Sequence, residues 1–419
     1  MKKLISIFFL ILLLSVPLGS PAAAQDGITI TDLGTLGGNW SYAFGINDRG
    51  QVVGYGQTAS GEIHAFMWEN GVMTDLGTLG GTISAALSLN DLGQVVGYSE
   101  TTTGEVHAFL WEDGVMADLG TLGGTISGAR RINNLGQVVG YSYTATGEFH
   151  AFLWEAGVMT DLSSTLGAPN SVAEGINDLG QVVGYSLTNS GVQHAFLWVE
   201  GVTTDLGNLG GSNSIALAIN DLAQVTGFSQ TASGEYHAFL WGNSSMADLG
   251  TLGGASSHAF DINNLKQVVG YSLATEGQEH AFLWENNAMT DLGTLGGDTS
   301  RAYEINSRGQ VVGTSQSTSS QVHAVLWTVS LEEQIQGIIE HVTELVETGV
   351  LNAGQGNALL SKLENILKQL DNSKPQVACN LLGAFSDQVQ SYLDDGVLPF
   401  EEGQLLLAAA NAVRSQICP

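Results

Sequence analysis

Residues 107–149 read HAFLWEDGVMADLGTLGGTISGARRINNLGQVVGYSYTATGEF, and this stretch decides the fold because the chain repeats it again and again. His-Ala-Phe begins at His64, His107, His150, His194, His237 and His280, and His323-Ala324-Val325 is an altered seventh copy. The spacing is 43 residues, except for 44 between His150 and His194. Each copy leads to a tryptophan: Trp68, Trp111, Trp154, Trp198, Trp241, Trp284 and Trp327. A fixed period of this size marks supersecondary units that bury their apolar faces only against one another.

Four strand-like runs recur in each unit. The first is Ser-x-Ala-x-x-Ile-Asn, as at Ser41–Asn47, and the second is Gln-Val-Val-Gly-Tyr, as at Gln51–Tyr55. The third is His-Ala-Phe-Leu-Trp, and the fourth is Val-Met-Thr-Asp-Leu-Gly, as at Val72–Gly77. Gly, Asn and Asp turns separate them, the pattern of short antiparallel strands. Both faces of these runs are rather apolar, which suits a sheet packed between two others.

The strand count argues for closure. The first three runs occur seven times, but the fourth occurs six times inside the array; the missing copy is Ile28–Gly34, Ile-Thr-Ile-Thr-Asp-Leu-Gly. An N-terminal strand that completes the last unit hides both sheet edges. The expectation is a mainly β fold, a seven-bladed β-propeller over residues 25–329 closed by the N-terminal strand. An open β-solenoid is the alternative. The recurring phrases His-Ala-Phe-Leu-Trp and Asp-Leu-Gly-Thr-Leu-Gly-Gly resemble the extracellular HAF repeat family over roughly residues 28–328. The resemblance implies an extracellular repeat protein and supplies no reaction. Val325, and Asp161-Leu162-Ser163-Ser164 in the fourth unit, depart from the pattern, so those units are expected to be irregular.

After Trp327 the apolar period becomes helical, with Leu331, Ile335, Ile338, Val342 and Leu345 on one stripe. Residues 330–419 read as a small bundle of four helices, itself duplicated: Gly349-Val350-Leu351 is matched by Gly396-Val397-Leu398. Gly356-Asn357-Ala358-Leu359, Ala384-Phe385 and Gly403-Gln404 resemble the FIMAH domain, a helical module of secreted bacterial proteins, which implies an attachment or protein-interaction role. The two cysteines of the chain, Cys379 and Cys418, both lie here and read as a disulfide in an exported protein.

Lys2-Lys3, the apolar run Leu4–Val16 and Ala22-Ala23-Ala24 have the layout of a cleaved signal peptide over residues 1–24. A membrane anchor is the alternative, but the apolar run is short for a span. The expected location is secreted, extracellular or cell-surface. The net charge of −29 disfavours nucleic acid and anionic membranes as partners. It leaves a glycan or a protein as the expected partner.

Seven near-identical copies act as an internal control. A residue present in every unit serves the unit; an asymmetric site sits where the copies differ. The seven histidines are therefore expected to be buried and bonded within the sheet, with Asp32, Asp75, Asp118, Asp161, Asp205, Asp248 and Asp291 as partners. The tryptophans read as packing between units. No metal ligand set and no catalytic motif is recognisable, and no cofactor is expected; a few Asn-Asp turns are weak calcium candidates without the regular acidic spacing of a calcium loop.

The first strand, which would line the channel, is where the copies diverge. Its charged and aromatic variants are Tyr42, Arg130, Arg131, Glu174, His258, Asp261, Arg301, Tyr303 and Glu304, with Trp40 just before the first copy. Aromatics beside charges suit a carbohydrate or small polar ligand. Cross-channel ion pairs that only fill the axis are the competing reading. The expected function is a non-catalytic extracellular binding or scaffold protein. Two alternatives stand beside it: a polysaccharide lyase or glycosidase using Asp261 with Glu304, or His258 with Tyr303 and an arginine, and a purely structural surface protein.

Overall fold

A computed structural model describes residues 27–418. The expected signal peptide, residues 1–24, lies outside them. The chain is mainly β, with a helical region at its C-terminal end.

The strands pair as successive antiparallel four-stranded meanders, 43 or 44 residues apart. The first three meanders are further joined by parallel bridges from the third strand of one to the first strand of the next, Ile63 to Ile83 and Val106 to Ile126. In each meander the Ser-x-Ala run is the innermost strand: Gly37–Ile46, Gly80–Leu89, Gly123–Ile132, Asn170–Ile176, Gly210–Ile219, Gly253–Ile262 and Gly296–Ile305. Six of these begin at a glycine of Thr-Leu-Gly-Gly or Asn-Leu-Gly-Gly, so the strand starts several residues before the Ser-x-Ala run. Ile28–Gly34 pairs antiparallel with Val322–Val329, in register from Ile28 opposite Val329 to Asp32 opposite Val325.

Every innermost strand carries a bulge after its alanine, as between Ala43 and Gly45 or Ala129 and Arg131. The bulge presses the innermost backbone onto its neighbour. A Cβ on Gly54 would lie 1.9 Å from Tyr42 O, which explains why Gln-Val-Val-Gly-Tyr keeps its glycine.

A ring of hydrogen bonds joins the turns that follow the innermost strands. Asn47 Nδ2 donates to Asn90 O, Asn90 to Asn133 O, Asn133 to Asn177 O and Asn177 to Asn220 O. Asn220 continues to Asn263 O, Asn263 to Asn306 O, and Asn306 returns to Asn47 O at 3.0 Å. Each asparagine also holds its own turn: Asn133 Oδ1 accepts from the amides of Leu135 and Gln137, and its Nδ2 also donates to Gln137 Oε1. Asn133 is 4% exposed. Truncation would strand several buried polar groups, so Asn133→Ala is expected to cost about 2–3 kcal/mol. Denaturant melts followed by tryptophan fluorescence would read this, since all eight tryptophans lie at or before Trp327.

The sheets pack face to face through small cores. Ala43, Ile46, Val52 and Phe66 of the first meander meet Val312 and Ala324 of the last, with Leu33 of the N-terminal strand and Trp68 against them. Trp111 packs against Val53, Ala65 and Phe109 in the same way, so the tryptophans do lie between sheets.

A four-residue helix, α1 (Ser163–Leu166), interrupts the fourth repeat where the sequence departs from the pattern. Beyond the sheets come α2 (Leu331–Glu347), α3 (Ala353–Asp371), α4 (Pro375–Asp394) and α5 (Phe400–Ile417). Ser330 caps α2 by accepting the Glu333 amide, Asn352 and Gln355 form a capping box on α3, and Pro375 opens α4. Their apolar stripes make a separate core around Ile335, Val342, Leu359, Leu363, Leu382, Phe385 and Val413. Cys379 and Cys418 are joined in a disulfide, with Cα atoms 5.6 Å apart. No helix among the described residues is long and apolar enough to cross a membrane.

Candidate functional site

The His-Asp pairs come first, because they occur in every repeat. Nδ1 of His64, His107, His150, His194, His237, His280 and His323 lies 2.5–3.1 Å from the carboxylate of Asp75, Asp118, Asp161, Asp205, Asp248, Asp291 and Asp32, respectively. The partners are those expected, but the histidines are half-buried rather than buried. The other aspartate oxygen accepts a backbone N–H two residues on, as Gly77 N does to Asp75. The pair therefore fastens the third strand to the exit of the fourth. The bond to His323 and the Gly34 amide hold the Asp32 carboxyl below the usual range against the opposing effect of burial.

The variable positions of the innermost strands fall into three tiers. The tier next to the asparagine ring is Gly45, Ser88, Arg131, Gly175, Ala218, Asp261 and Glu304. Arg131 reaches across from the third repeat to the sixth and seventh. Its Nη2 donates to Asp261 Oδ1 at 2.8 Å and its Nη1 to Glu304 Oε1. The second oxygen of each carboxylate accepts a backbone amide of the next repeat, Ile305 N on Asp261 and Ile46 N on Glu304. Asp261 and Glu304 are 6% and 8% exposed. Burial pushes the Glu304 carboxyl up to about 8; Arg131 pulls it down without cancelling burial, and Asp261 adds to the rise. Asp261 moves up for the same reason. These groups form the floor of a cavity of ≈ 200 Å³ ringed by the asparagine turns.

Both oxygens of each carboxylate are thus engaged, one by Arg131 and the other by a backbone amide. These residues match the competing reading of the sequence, an ion network that fills the axis.

The middle tier is Phe44, Leu87, Arg130, Glu174, Leu217, Phe260 and Tyr303. Arg130 Nε lies 3.4 Å from Glu174, and its guanidinium 5.3 Å from the Tyr141 ring. Glu174 is half-buried, and that desolvation raises its carboxyl despite Arg130.

The third tier is Tyr42, Ala85, Gly128, Val172, Ile215, His258 and Arg301. Directly across the strand pair stand Tyr55, Tyr98, Tyr141, Tyr185, Phe228, Tyr271 and Thr314. Here ring contacts run without a break across four neighbouring sheets. Trp40 meets Tyr42, Tyr42 stacks on Tyr55, Tyr55 on Phe44, and Phe44 on Tyr303 at 4.5 Å. Tyr303 meets Phe260, Phe260 meets Tyr271, and Tyr271 stacks on His258 at 4.8 Å. His258 lies 4.3 Å from Phe228, which meets Tyr236.

Polar groups edge this arc at His258. Arg301 Nε donates to Glu279 at 2.7 Å, and its guanidinium lies 4.8 Å from the Tyr271 ring. His258 Nδ1 is buried without a hydrogen-bond partner. Burial lowers the His258 pKa to about 4, so the imidazole is neutral at pH 7. With Arg301 and Glu279 cancelling, this end of the arc carries no net charge.

Of the residues singled out from sequence, Trp40, Tyr42, His258, Arg301 and Tyr303 come together here. Arg131, Asp261 and Glu304 do not; they are tied up a tier away, and Arg130 with Glu174 sits between. Sequence reasoning missed the tyrosines of Gln-Val-Val-Gly-Tyr, because a run that recurs in every unit was assigned to the fold. It also missed Glu279. The residue before each His-Ala-Phe varies as freely as the innermost strand (Ile63, Val106, Phe149, Gln193, Tyr236, Glu279, Val322), and that was the signal available.

Among the described residues, no group of three or more His, Cys, Asp or Glu side chains is placed to hold a metal ion. The aspartates of the Asn-Asp turns, the weak calcium candidates, accept neighbouring amides instead: Asp91 takes Asp48 N and Asp221 takes Asp178 N.

No family model matches the chain, and no curated protein is similar to it in sequence. Among solved structures it is similar to a puromycin-hydrolysing peptidase of Mycobacterium tuberculosis, with a TM-score of 0.50 and 12% identity, covering 68% of this chain and 50% of that one. This chain thus spans half the length of that peptidase. It is also similar to TolB from Acinetobacter baumannii, with a TM-score of 0.39 and 11% identity over 67% of this chain and 80% of that one. A third is an Aleuria aurantia lectin in complex with Fucalpha1-6GlcNAc, with a TM-score of 0.36 and 15% identity over 66% of this chain and all of that one. At these identities the likeness bears on the fold alone.

Proposed function

We propose that this chain is an exported seven-bladed β-propeller of HAF repeats with a FIMAH-like helical module, and that it binds an extracellular carbohydrate without transforming it. Seven innermost strands joined by a closed asparagine ring support this reading, as does the pairing of Ile28–Gly34 with Val322–Val329. The helical module, which has its own core and disulfide, is assigned to association with a partner or surface.

One observation carries the ligand assignment. The aromatic arc from Trp40 to Tyr236 is edged by Arg301, Glu279 and the unpartnered Nδ1 of His258. Sugar rings present apolar C–H faces to aromatics and hydroxyls to polar groups, and a site without net charge suits a neutral glycan.

The test is binding of residues 25–419 to a panel of neutral and acidic polysaccharides by affinity electrophoresis and calorimetry. Binding to a neutral glycan is expected, weakened about tenfold or more in Tyr271→Ala, since a ring at the centre of a contact cluster contributes on the order of 1–3 kcal/mol. The variant should still unfold in a single cooperative transition, at a somewhat lower midpoint because a stacked ring is lost. Retained binding in Tyr271→Ala, or none by the parent, would move the search to the helical module.

A further inference from the structure

The link into the innermost strand keeps its Leu-Gly-Gly in six repeats but not in the fourth, and the exception opens a cavity. Elsewhere the Leu-Gly-Gly link lies against the end of its own second strand: Leu122 N donates to Ser142 Oγ, and Leu252 N to Ser272 Oγ. The second of these glycines leaves no room for a side chain. A Cβ would come within 2.4 Å of Gln57 O at Gly38, 2.7 Å of Tyr143 O at Gly124 and 2.5 Å of Leu273 O at Gly254. In the fourth repeat this position is Ala168. One residue is inserted before it, at Ser163-Ser164, and Pro169, which has no amide hydrogen, follows it. The link cannot lie down. It turns through α1 instead, and the innermost strand starts only at Asn170.

What the link covers in other repeats is uncovered here. A cavity of ≈ 390 Å³ opens beneath it, with Phe196 in its floor and Leu166 and Pro169 in its wall. His194 and Asp205 line it, with side chains 40% and 61% exposed, whereas the other six pairs range over 13–25% and 29–43%. Ser186, the counterpart of the link-bound Ser142, lines it too. Among the described residues, Ser186 Oγ, His194 Nε2 and the Asn189 amide form no hydrogen bond.

We infer that the fourth repeat holds a second binding site, for a single neutral sugar residue. The chemistry is an apolar floor and wall with a free hydroxyl, an imidazole and an amide, in a volume suited to one ring rather than a chain. Asp205 is the one acidic side chain that lines it and no Lys or Arg does, so the lining disfavours an anionic ligand. Ser186, His194 and Asp205 are the residue types of a hydrolytic triad, and Ser186 lies opposite His194 in register. No hydrogen bond joins Ser186 to His194, so the serine is not activated as a nucleophile. This site is independent of the aromatic arc.

Restoring the regular link tests it. The variant deletes Ser163 and carries Ser164→Gly, Ala168→Gly, Pro169→Thr and Asn170→Ile, which writes the sequence of Leu119–Ile126 into the fourth repeat. Saturation-transfer NMR and calorimetry would use galactose, glucose, mannose, fucose and N-acetylglucosamine. The parent is expected to bind at least one of them, the restored variant to lose that binding while melting no lower, and His194→Ala to weaken it about tenfold. Tyr271→Ala should leave it unchanged, which separates this site from the arc. Binding that survives the restored link, or no binding of any of the five by the parent, overturns the inference. So does Ser186-dependent turnover of a chromogenic ester, which would make the site hydrolytic.

Discussion

Deleting residues 27–34 is expected to abolish the cooperative unfolding transition of the β region, although these residues are a small fraction of it. Ile28, Ile30 and Leu33 are all buried. Burying side chains of this size contributes roughly 1.5–3 kcal/mol each, so their loss approaches the net stability of an ordinary domain. The deletion also strips the hydrogen-bonded partner from Val322–Val329 and takes Asp32 from His323. It leaves a bare strand edge, the feature that promotes pairing with another chain. In the proposed closed ring the loss is not local, because the last blade is what holds the first: Ala324 N donates to Ser41 Oγ, and Asn306 to Asn47 O. The truncated protein should aggregate or melt without a sharp transition, while the helical signal from residues 331–417 persists. A synthetic peptide of residues 25–36 added in trans should restore part of the transition. If the truncated protein melts like the parent, closure by this strand is wrong and an open array of repeats is the better description.

The reason that strand could be found in the sequence shows where sequence reading succeeds. A repeat states its own grammar seven times, so a missing word is visible, and Ile28–Gly34 fits the vacancy. The same redundancy identified the His-Asp pairs, since residues fixed in every copy must meet within one sheet. It failed for the tyrosines. Tyr55 and Tyr271 are constant or nearly so because a half-buried aromatic suits that strand position, yet the bulged innermost strand leaves their rings in contact with the variable side chains. Periodicity says which residues share a face, not how far a side chain reaches. Nothing in the spacing of Arg131, Asp261 and Glu304 reveals that the arginine bridges repeats separated by more than a hundred residues. Only its place on the same tier does. Ala168 was legible in principle, as the one non-glycine in its column, but its consequence needed the close neighbour, a carbonyl in five of the other six copies, that presses against that glycine.

The tier around Arg131 gives the second large effect, and its sign changes the pH response of the whole molecule. Arg131→Ala leaves Asp261 and Glu304 buried without their cation, which is expected to cost about 3–5 kcal/mol at neutral pH. The wild-type protein already bears part of that burden. Glu304 has a folded pKa of about 8 against 4.5 for a glutamate in water, so between those limits the folded state holds a proton that the unfolded state has released. Stability from this group is therefore greatest below pH 4.5 and declines as pH rises toward 8, with Asp261 contributing in the same direction. The His323–Asp32 pair also favours the lower side of neutrality, because its raised histidine loses the bond as pH climbs. Its lowered aspartate sets the acid limit, losing stability only as pH falls through its depressed value. In Arg131→Ala the two carboxyls can escape the penalty by taking up protons, so the variant should be closer to the parent at about pH 5 than at about pH 9. Denaturant midpoints at both values would measure this. The repeats themselves supply the control. Gly45, Ser88, Gly175 and Ala218 occupy the same tier without charge, and Ser88 Oγ accepts the Ile132 amide as Glu304 accepts that of Ile46. Combining Arg131→Ala with Asp261→Ser and Glu304→Ser should thus recover most of the loss and flatten the alkaline side of the profile. A triple variant as unstable as Arg131→Ala alone would show that the arginine matters for its packing, not for the carboxylates it neutralises.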